Sequence, residues 1–450
     1  MEILMIFIIL ISQSSWGPEI VAVYGDSLPY PYSTWKPKIG VNGDTIHIVW
    51  YGDFSTNNST FREVFYTRSC DGGLTWEKPR IISQLDSLKS IFPSICVNGN
   101  SVHVGWFEAD TYSFQYRRSL DGGRTWEPIS TLIPEEHTIL GVIGNKGDTL
   151  VMVALGSYYY WDKFWFRKSL DNGSSWSEPL LIDRWIGIVE VGVNPPFISL
   201  ITVERDPNSG YGEIYYIRSP DLGDTWERDT MISEPWNDSA LRPDLYVDGS
   251  KLYVTWCDYK YTTHAWTGDI FLRISYDNGA TWEAIRETVS TSHLATQSAV
   301  CAFNNQIHIV WVEEMNYWNT ELYYRYGIKV GNGYKWSKID RLTFAEGESN
   351  DPDMTYSNGK LHLVWRDWRM EAPGIYYRYK IFTDIEEKIS LNYDSYTSFI
   401  LTKNNLILKF KKEGIKIFNL YGGVRDINLK SGIYFIFLEK NYKIKVIKVR

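Results

Sequence analysis

The sequence predicts an all-β protein, a seven-bladed β-propeller of four-stranded antiparallel blades followed by a small C-terminal β-sandwich domain. Three observations lead there: a box, Ser-x-Asp-x-Gly-x-x-Trp, written five times; an Asn-Gly or Asp-Gly turn that travels with it; and a reversal of charge near residue 384. Self-similarity at a period of about 50 residues is the signature of propeller blades.

The box comprises Ser69, Asp71, Gly73 and Trp76; Ser119, Asp121, Gly123 and Trp126; Ser169, Asp171, Gly173 and Trp176; Ser219, Asp221, Gly223 and Trp226; and Ser275, Asp277, Gly279 and Trp282. Its first four tryptophans are spaced by 50 residues, the fifth follows after 56, and a degenerate copy ends at Trp336 after 54 more. The turns at 41–44, 97–100, 247–250 and 357–360 supply the positive φ angles of two-residue hairpins. Each leads into an alternating strand such as "IHIVW" or "LHLVW", and weaker copies begin at Leu150 and Phe197. An aromatic strand ("EVFYTRS", "EIYYIRS") comes next, then the box, then a short outer strand. Seven such units are predicted.

The ends of the chain complete this reading. Residues 3–11 are uniformly apolar, too few to span a bilayer and suited to the core of a secretory signal, so 1–15 is expected to be a signal peptide and the mature chain to carry no transmembrane anchor. The seventh unit lacks its own fourth strand, whereas "WGPEIVAV" (16–23) matches "WEKPRIIS" (76–83). The N-terminal segment is therefore expected to close the ring, giving a propeller over 16–384. Residues 385–450 hold 13 Lys/Arg against 6 Asp/Glu, a balance of +7, leaving −15 of the total −8 for the rest. That break, with alternating strands such as "LILKF" and "IYFIFLE", predicts a second module.

Composition narrows the function. The net charge of −8 argues against nucleic-acid binding, and 20 Trp with 32 Tyr exceed what a core asks for, so some rings are expected to face solvent or ligand. No cofactor and no metal site are predicted. His47, His103, His308 and His362 hold one equivalent strand position and read as packing residues, while His137, His264 and His293 fall in loops without metal-ligand spacing. Cys70, Cys96, Cys257 and Cys301 allow three pairings, with unpaired thiols the default. The box aspartates are expected to cap their own turns, with the Trp packing back across its sheet, because five symmetric copies cannot share one active site.

The box on a repeated four-stranded unit resembles the Asp-box, or bacterial neuraminidase repeat, of the sialidase-like propellers over residues 16–384. The resemblance implies three arginines on a substrate carboxylate, the first in a Phe-Arg-Ile-Pro motif, an aspartate acid/base, and a tyrosine nucleophile activated by a glutamate. At the starts of the inner strands ("WKPKI", "FPSI", "LRPDL", "DPDM") only Arg242 stands where the motif arginine would, and Lys36 holds that place in the first blade. Arg184, Arg205, Arg366 and Arg369 lie on the same predicted face. The last 65 residues resemble the C-terminal sorting domains of bacterial type IX secretion substrates, implying secretion machinery as a partner and a secreted or outer-membrane-associated surface location.

The box turns should lie on one face, and the loops from second to third strands and from blade to blade on the other, where ligands belong. That loop face combines carboxylates (Asp53, Glu108, Asp110, Glu204, Asp258, Glu313, Asp367) with rings (Tyr159, Trp161, Tyr261, Trp266, Trp318, Trp368). Rings stack on sugars, and carboxylates accept hydroxyl hydrogen bonds or act as acid and base, so a glycan or glycoconjugate is the expected partner. In a catalytic reading Asp53 is the general acid, paired with Glu204 or Glu313. Substrate binding is assigned to Arg242, Arg366, Arg369, Asp258, Asp367, Trp161, Trp266, Trp318 and Trp368. Two function classes stay open beside glycan recognition, which the incomplete arginine set favours: an exo-α-sialidase or related glycoside hydrolase, and a non-catalytic protein-interaction propeller.

Overall fold

The computed structural model describes residues 16–382, apart from 25–32, 56–59, 135–137, 157–162, 184–186, 188, 206–210, 228, 235–238, 261–266, 284–286, 291, 317–318, 331–332 and 370–372, and beyond them the backbone of strands within 396–449. The expected signal peptide, 1–15, lies outside the described residues. The described residues form strands and no helix. One unit spans Ser15–Ile381 and a second includes Phe382–Arg450.

Strands such as Ile46-His47-Ile48-Val49-Trp50 are buried at every position, because each blade is covered on both sides by its neighbours. Seven antiparallel sheets result. The first contains Trp35–Asn42, Thr45–Ser55, Thr60–Ser69 and Arg80–Ile81, from the axis outward. The seventh contains Ser349–Ser357, Lys360–Asp367, Gly374–Ile381 and, at its outer edge, Ile20–Val23. The inner strands lie side by side in a closed circle, the seventh against the first. Apolar clusters fill the spaces between blades. Val49, Val64, Tyr66 and Ile82 of blade 1, for example, pack on Val102, Val104 and Trp106 of blade 2.

The box joins blades. Within it, the Ser69 hydroxyl donates to Asp71 Oδ1 at 2.7 Å and accepts from Gly73 N at 2.9 Å, while Asp71 accepts from the Thr75 N–H and hydroxyl. Those donors hold the Asp71 carboxyl down at about 2. The tryptophan does not fold back on its own sheet as expected. It packs edge-on against the third-strand ring of the preceding blade: Trp126 on Tyr66 at 5.0 Å, Trp176 on Tyr116, Trp226 on Phe166, Trp282 on Tyr216 and Trp76 on Tyr377. The box glycine touches the same ring; a Cβ on Gly123 would stand 1.8 Å from Tyr66 Oη. From the other side, histidine Nδ1 atoms meet the tyrosine hydroxyls: His47 with Tyr66, His103 with Tyr116 and His362 with Tyr377 at 2.7 Å, and His308 with Tyr324 at 2.8 Å.

The N-terminal strand takes the outer place in blade 7, pairing Ile20 with Tyr377 and Val21 with Tyr376. Trp16 packs on Tyr324 of blade 6 at 5.1 Å, as the box tryptophans do, although no box precedes it. Blade 6 departs from the repeat. Gly327 stands in place of the box serine, and the third strand runs on to Val330 and pairs with Gly333–Trp336 before the outer strand Asp340–Arg341. All four cysteines are free thiols.

In the second unit, Tyr396–Leu401, Asn405–Phe410, Gly414–Asn419 and Val424–Asp426 pair as an antiparallel meander, and Ile433–Glu439 pairs with Lys443–Val449. The side chains that would define a sandwich lie outside the described ones.

Gly123→Ala combines a backbone φ of 77° with a clash on Tyr66, and should cost about 2–4 kcal/mol in denaturant unfolding. Burial pushes His103 down to about 4, so its neutral form is worth most above the ordinary histidine value of 6.5, and stability falls as pH drops from there toward 4. His103→Gln should remove about 3 kcal/mol of that acid-side slope, read as melting temperature against pH.

Candidate functional site

The loop-face end of the inner strands carries a repeated distortion. Ladder register skips between Trp35 and Lys38, Ile91 and Ser94, Thr138 and Leu140, Leu241 and Asp244, Ala295 and Ser298, and Asn350 and Asp353. Six blades thus bulge at the same level, and bulges re-aim side chains at such rims. In four of them the bulged residue precedes proline and adopts a left-handed backbone: Lys36 (φ 51°), Phe92 (51°), Arg242 (56°) and Asp351 (53°). A non-glycine residue held there costs about 1–3 kcal/mol, which the surrounding ring must overcome.

The result is a two-sided mouth. From blade 5 to blade 1 it is polar and continuously bonded: Arg242 donates to Thr296 O at 3.3 Å, the Asp351 N–H donates to Gln297 Oε1 at 3.1 Å, and Asp351 pairs with Lys36 at 2.7 Å. Blades 2 and 3 contribute Phe92, which packs on Tyr51 at 5.4 Å, and the exposed Ile139. Below the mouth, Lys38, Glu190, Asp244 and Asp353 line the channel, enclosed by the inner strands yet each still touching water. Lys38 pairs with Asp353 at 3.4 Å and is held protonated above the ordinary lysine range by that carboxylate. Enclosure, then the charge of Glu190, pushes the Asp244 carboxyl above the ordinary carboxylate range.

The carboxylates singled out from the sequence fall into two groups. Glu108, Glu204, Asp258, Glu313 and Asp367 share one position, two residues beyond the buried tryptophan or its counterpart at the end of the second strand. There the indole N–H bonds them: Trp256 to Asp258 at 3.3 Å, Trp311 to Glu313 at 2.8 Å and Trp365 to Asp367 at 2.9 Å. Ser90 and Ser349 donate to Glu108 and Asp367 from the inner strands. Glu204 lies opposite Glu213 in the ladder. The repetition marks a device of the blade, and "WFE", "WCD", "WVE" and "WRD" announced it by the same symmetry test that sets the histidines apart. Asp53 stands one residue further along its strand, because Gly52 holds the shared position. It forms a two-pronged pair with Arg62 at 2.6 and 2.9 Å and accepts from Ser33 at 3.0 Å. Beside it, burial and then Asp351 raise the Tyr51 phenol above its ordinary range.

The arginines divide similarly. Arg366 is buried, donates to Glu348 at 2.9 Å and stacks on Trp35 at 4.3 Å. Arg369 bridges Asp367 and Glu19, the residue before the N-terminal strand. Arg242 alone of the three nominated arginines pairs with no carboxylate among the described residues. Arg117, Arg167, Arg273, Arg325 and Arg378 are staples, each donating to a carbonyl of its own blade and one of the preceding blade, as Arg117 does to Glu127 O and Ile82 O.

Of the nominated rings, Trp161, Trp266 and Trp318 lie outside the described residues, and Trp368 is exposed on the loop face. Four rings the sequence reading did not nominate share that face: Tyr24 after the closing strand, Tyr112 and Tyr211 in second-to-third loops, and Phe344 between blades 6 and 7. The large exposed apolar side chains of the box turns are aliphatic instead: Leu74, Leu120 and Leu170. The loop histidine His293 meets the buried Asp269 at 2.5 Å, while His137 and His264 are outside the described residues. Among the described residues no group of three or more His, Cys, Asp or Glu is arranged to hold a metal ion.

Asp367→Asn should leave Arg369 facing an amide in a closed site, and is expected to cost about 3 kcal/mol of stability by chemical denaturation.

No protein-family model and no curated protein sequence matches the chain. Solved structures do. Phage phi92 endosialidase is similar at 12% identity and a TM-score of 0.50, over 96% of this chain and 79% of its own. Polysaccharide lyase Uly1 matches at 11% and 0.51, over 80% and 91%. Trypanosoma rangeli sialidase in complex with sialic acid matches at 13% and 0.46, over 94% and 71%. At these identities the likeness to the first two establishes a shared propeller fold.

Proposed function

We propose that the loop face binds a glycan and that recognition, rather than bond cleavage, is its task. One observation carries this reading: the strongly exposed aromatic side chains among the described residues, Tyr24, Tyr112, Tyr211, Phe344 and Trp368, are all on the loop face. An exposed ring buries apolar surface when it meets the C–H face of a sugar, and rings distributed by chance would occupy both faces. Arg242, on a strained bulge and without a carboxylate partner among the described residues, supplies a site for an anionic group of that glycan. The endosialidase and polysaccharide lyase of like fold are named for glycan substrates, which supports the same reading.

A hydrolytic second reading draws on Asp53, which departs from the shared carboxylate position and lies beside Tyr51. Both of its carboxylate oxygens are held by Arg62. Turnover of chromogenic glycosides, sialosides included, that is lost in Asp53→Asn would decide for hydrolysis. We also propose export, directed by the apolar run at 3–11 and the basic unit 385–450; cell fractionation of chains lacking either segment checks it.

Glycan-array binding of the full chain tests recognition. Arg242→Ala should lower binding to acidic glycans about tenfold or more while the unfolding midpoint stays put, because among the described residues the side chain's bond to the protein is a single long one to Thr296 O. An array on which the wild-type chain binds nothing would sink the reading.

A further inference from the structure

Two of the exposed rings are built differently from a residue that merely lacks cover. Phe344 is 69% exposed, yet the Arg341 guanidinium lies against its ring at 4.8 Å. Arg341 is itself fixed, donating to the fully buried Glu321 at 2.7 Å and to Thr343 O at 2.8 Å. Trp368 is 40% exposed, and Arg366 lies near its ring at 5.7 Å, fixed in turn by Glu348 and by the Trp35 ring.

The segments that carry the rings are locked to each other. The Trp368 N–H donates to Glu348 O at 2.8 Å, and a Cβ on Gly347 would stand 2.1 Å from Trp368 O, so the two backbones touch. Each ring is therefore backed by a cation that a carboxylate holds in place. Cation–π contact of this kind fixes a ring while leaving surface for a second stacking partner. Rings that served only to fill space would fold onto the surface, since exposure forfeits the burial free energy.

We infer that the ligand of this face is a glycan chain of several units: an acidic unit at Arg242 of blade 5, and further units stacked on Trp368 and Phe344 at the wall between blades 6 and 7. This inference rests on the glycan reading given above and specifies its substrate class as an extended acidic polysaccharide rather than a single terminal sugar. The polar arc joins the two places. From Arg242 it passes through Thr296 and Gln297 of blade 6 to Asp351 of blade 7, offering carbonyl, amide and carboxylate partners to hydroxyls along the way. One sugar ring cannot contact both Arg242 and a platform one to two blades away, so occupying both takes a chain. An uncharged or basic chain would leave Arg242 without an anion.

The test uses the full chain on an array printed as length series, from single units to octamers, of uronate, sialate, sulfated and uncharged glycans. The wild type should bind acidic chains increasingly well with length. Phe344→Ala and Trp368→Ala should each lower octamer binding about fivefold and leave single acidic units unchanged, whereas Trp368→Phe, which keeps a ring, should retain most of it. Arg242→Ala should lower binding at every length. Melting temperatures of the ring variants should match the wild type, since both side chains project outward. Binding that does not depend on length, or ring variants that lower all lengths in equal ratio, would overturn the extended-chain inference and leave glycan recognition standing. Binding to nothing on the array would overturn both.

Discussion

The contact on which the rest depends is the grip of each box on the blade before it. A tyrosine or phenylalanine on a third strand is held on one side by the next blade's glycine and tryptophan and, in three of these blades, on the other by a buried histidine of its own sheet. Sheets alone do not specify a ring; they could stack at other angles or slide. A glycine that admits the ring only because it has no Cβ, with a tryptophan set edge-on beside it, fixes the relation between neighbours. The arginine staples add directional bonds across the same boundary. The box is thus an inter-blade fastener, and its capped aspartate serves the turn that presents it.

Most of the fold was legible because repetition multiplies the signal. A single alternating pentapeptide is ambiguous between a buried strand and a stretch of helix, but seven in phase with turns and boxes are not. The ring closure was legible for the same reason, since a unit short of one strand and an orphan strand at the other end are complementary. What the sequence did not convey was direction in space. Nothing in the spacing of Trp126 says whether its ring lies over its own sheet or the neighbour's, because both lie at similar separation. The hairpin that replaces the sixth box was also hidden, as only Gly327 in the serine's place sets that stretch apart.

The site was legible in outline. Arg242 stood out because Arg-Pro at the head of an inner strand is unlike its counterparts, and the structure gives a physical reason to regard that place as special: the chain bulges there into a left-handed conformation. The carboxylates were harder to read, since acids in loops look alike until their partners are seen. Asp258, Glu313 and Asp367 turn out to be tied by indoles two residues earlier, a regularity visible in the sequence only once the tryptophan is taken as the origin of counting. Phe344 and Tyr24 could not have been ranked, because their distinction is exposure, which spacing does not encode.

The closing strand has a consequence for how the molecule comes into being. Residues 16–23 leave the ribosome some 350 positions before their hydrogen-bonding neighbours at 374–381, the separation between Glu19 and Arg369. At ordinary elongation rates that interval is on the order of tens of seconds. Throughout it the first segment has no native partner, and every completed blade presents its next neighbour with an open flank. The circle therefore cannot be assembled by adding finished pieces from one end. Its last seam is sewn with a thread laid down before the first sheet, so a chain interrupted anywhere short of the seventh sheet remains an arc.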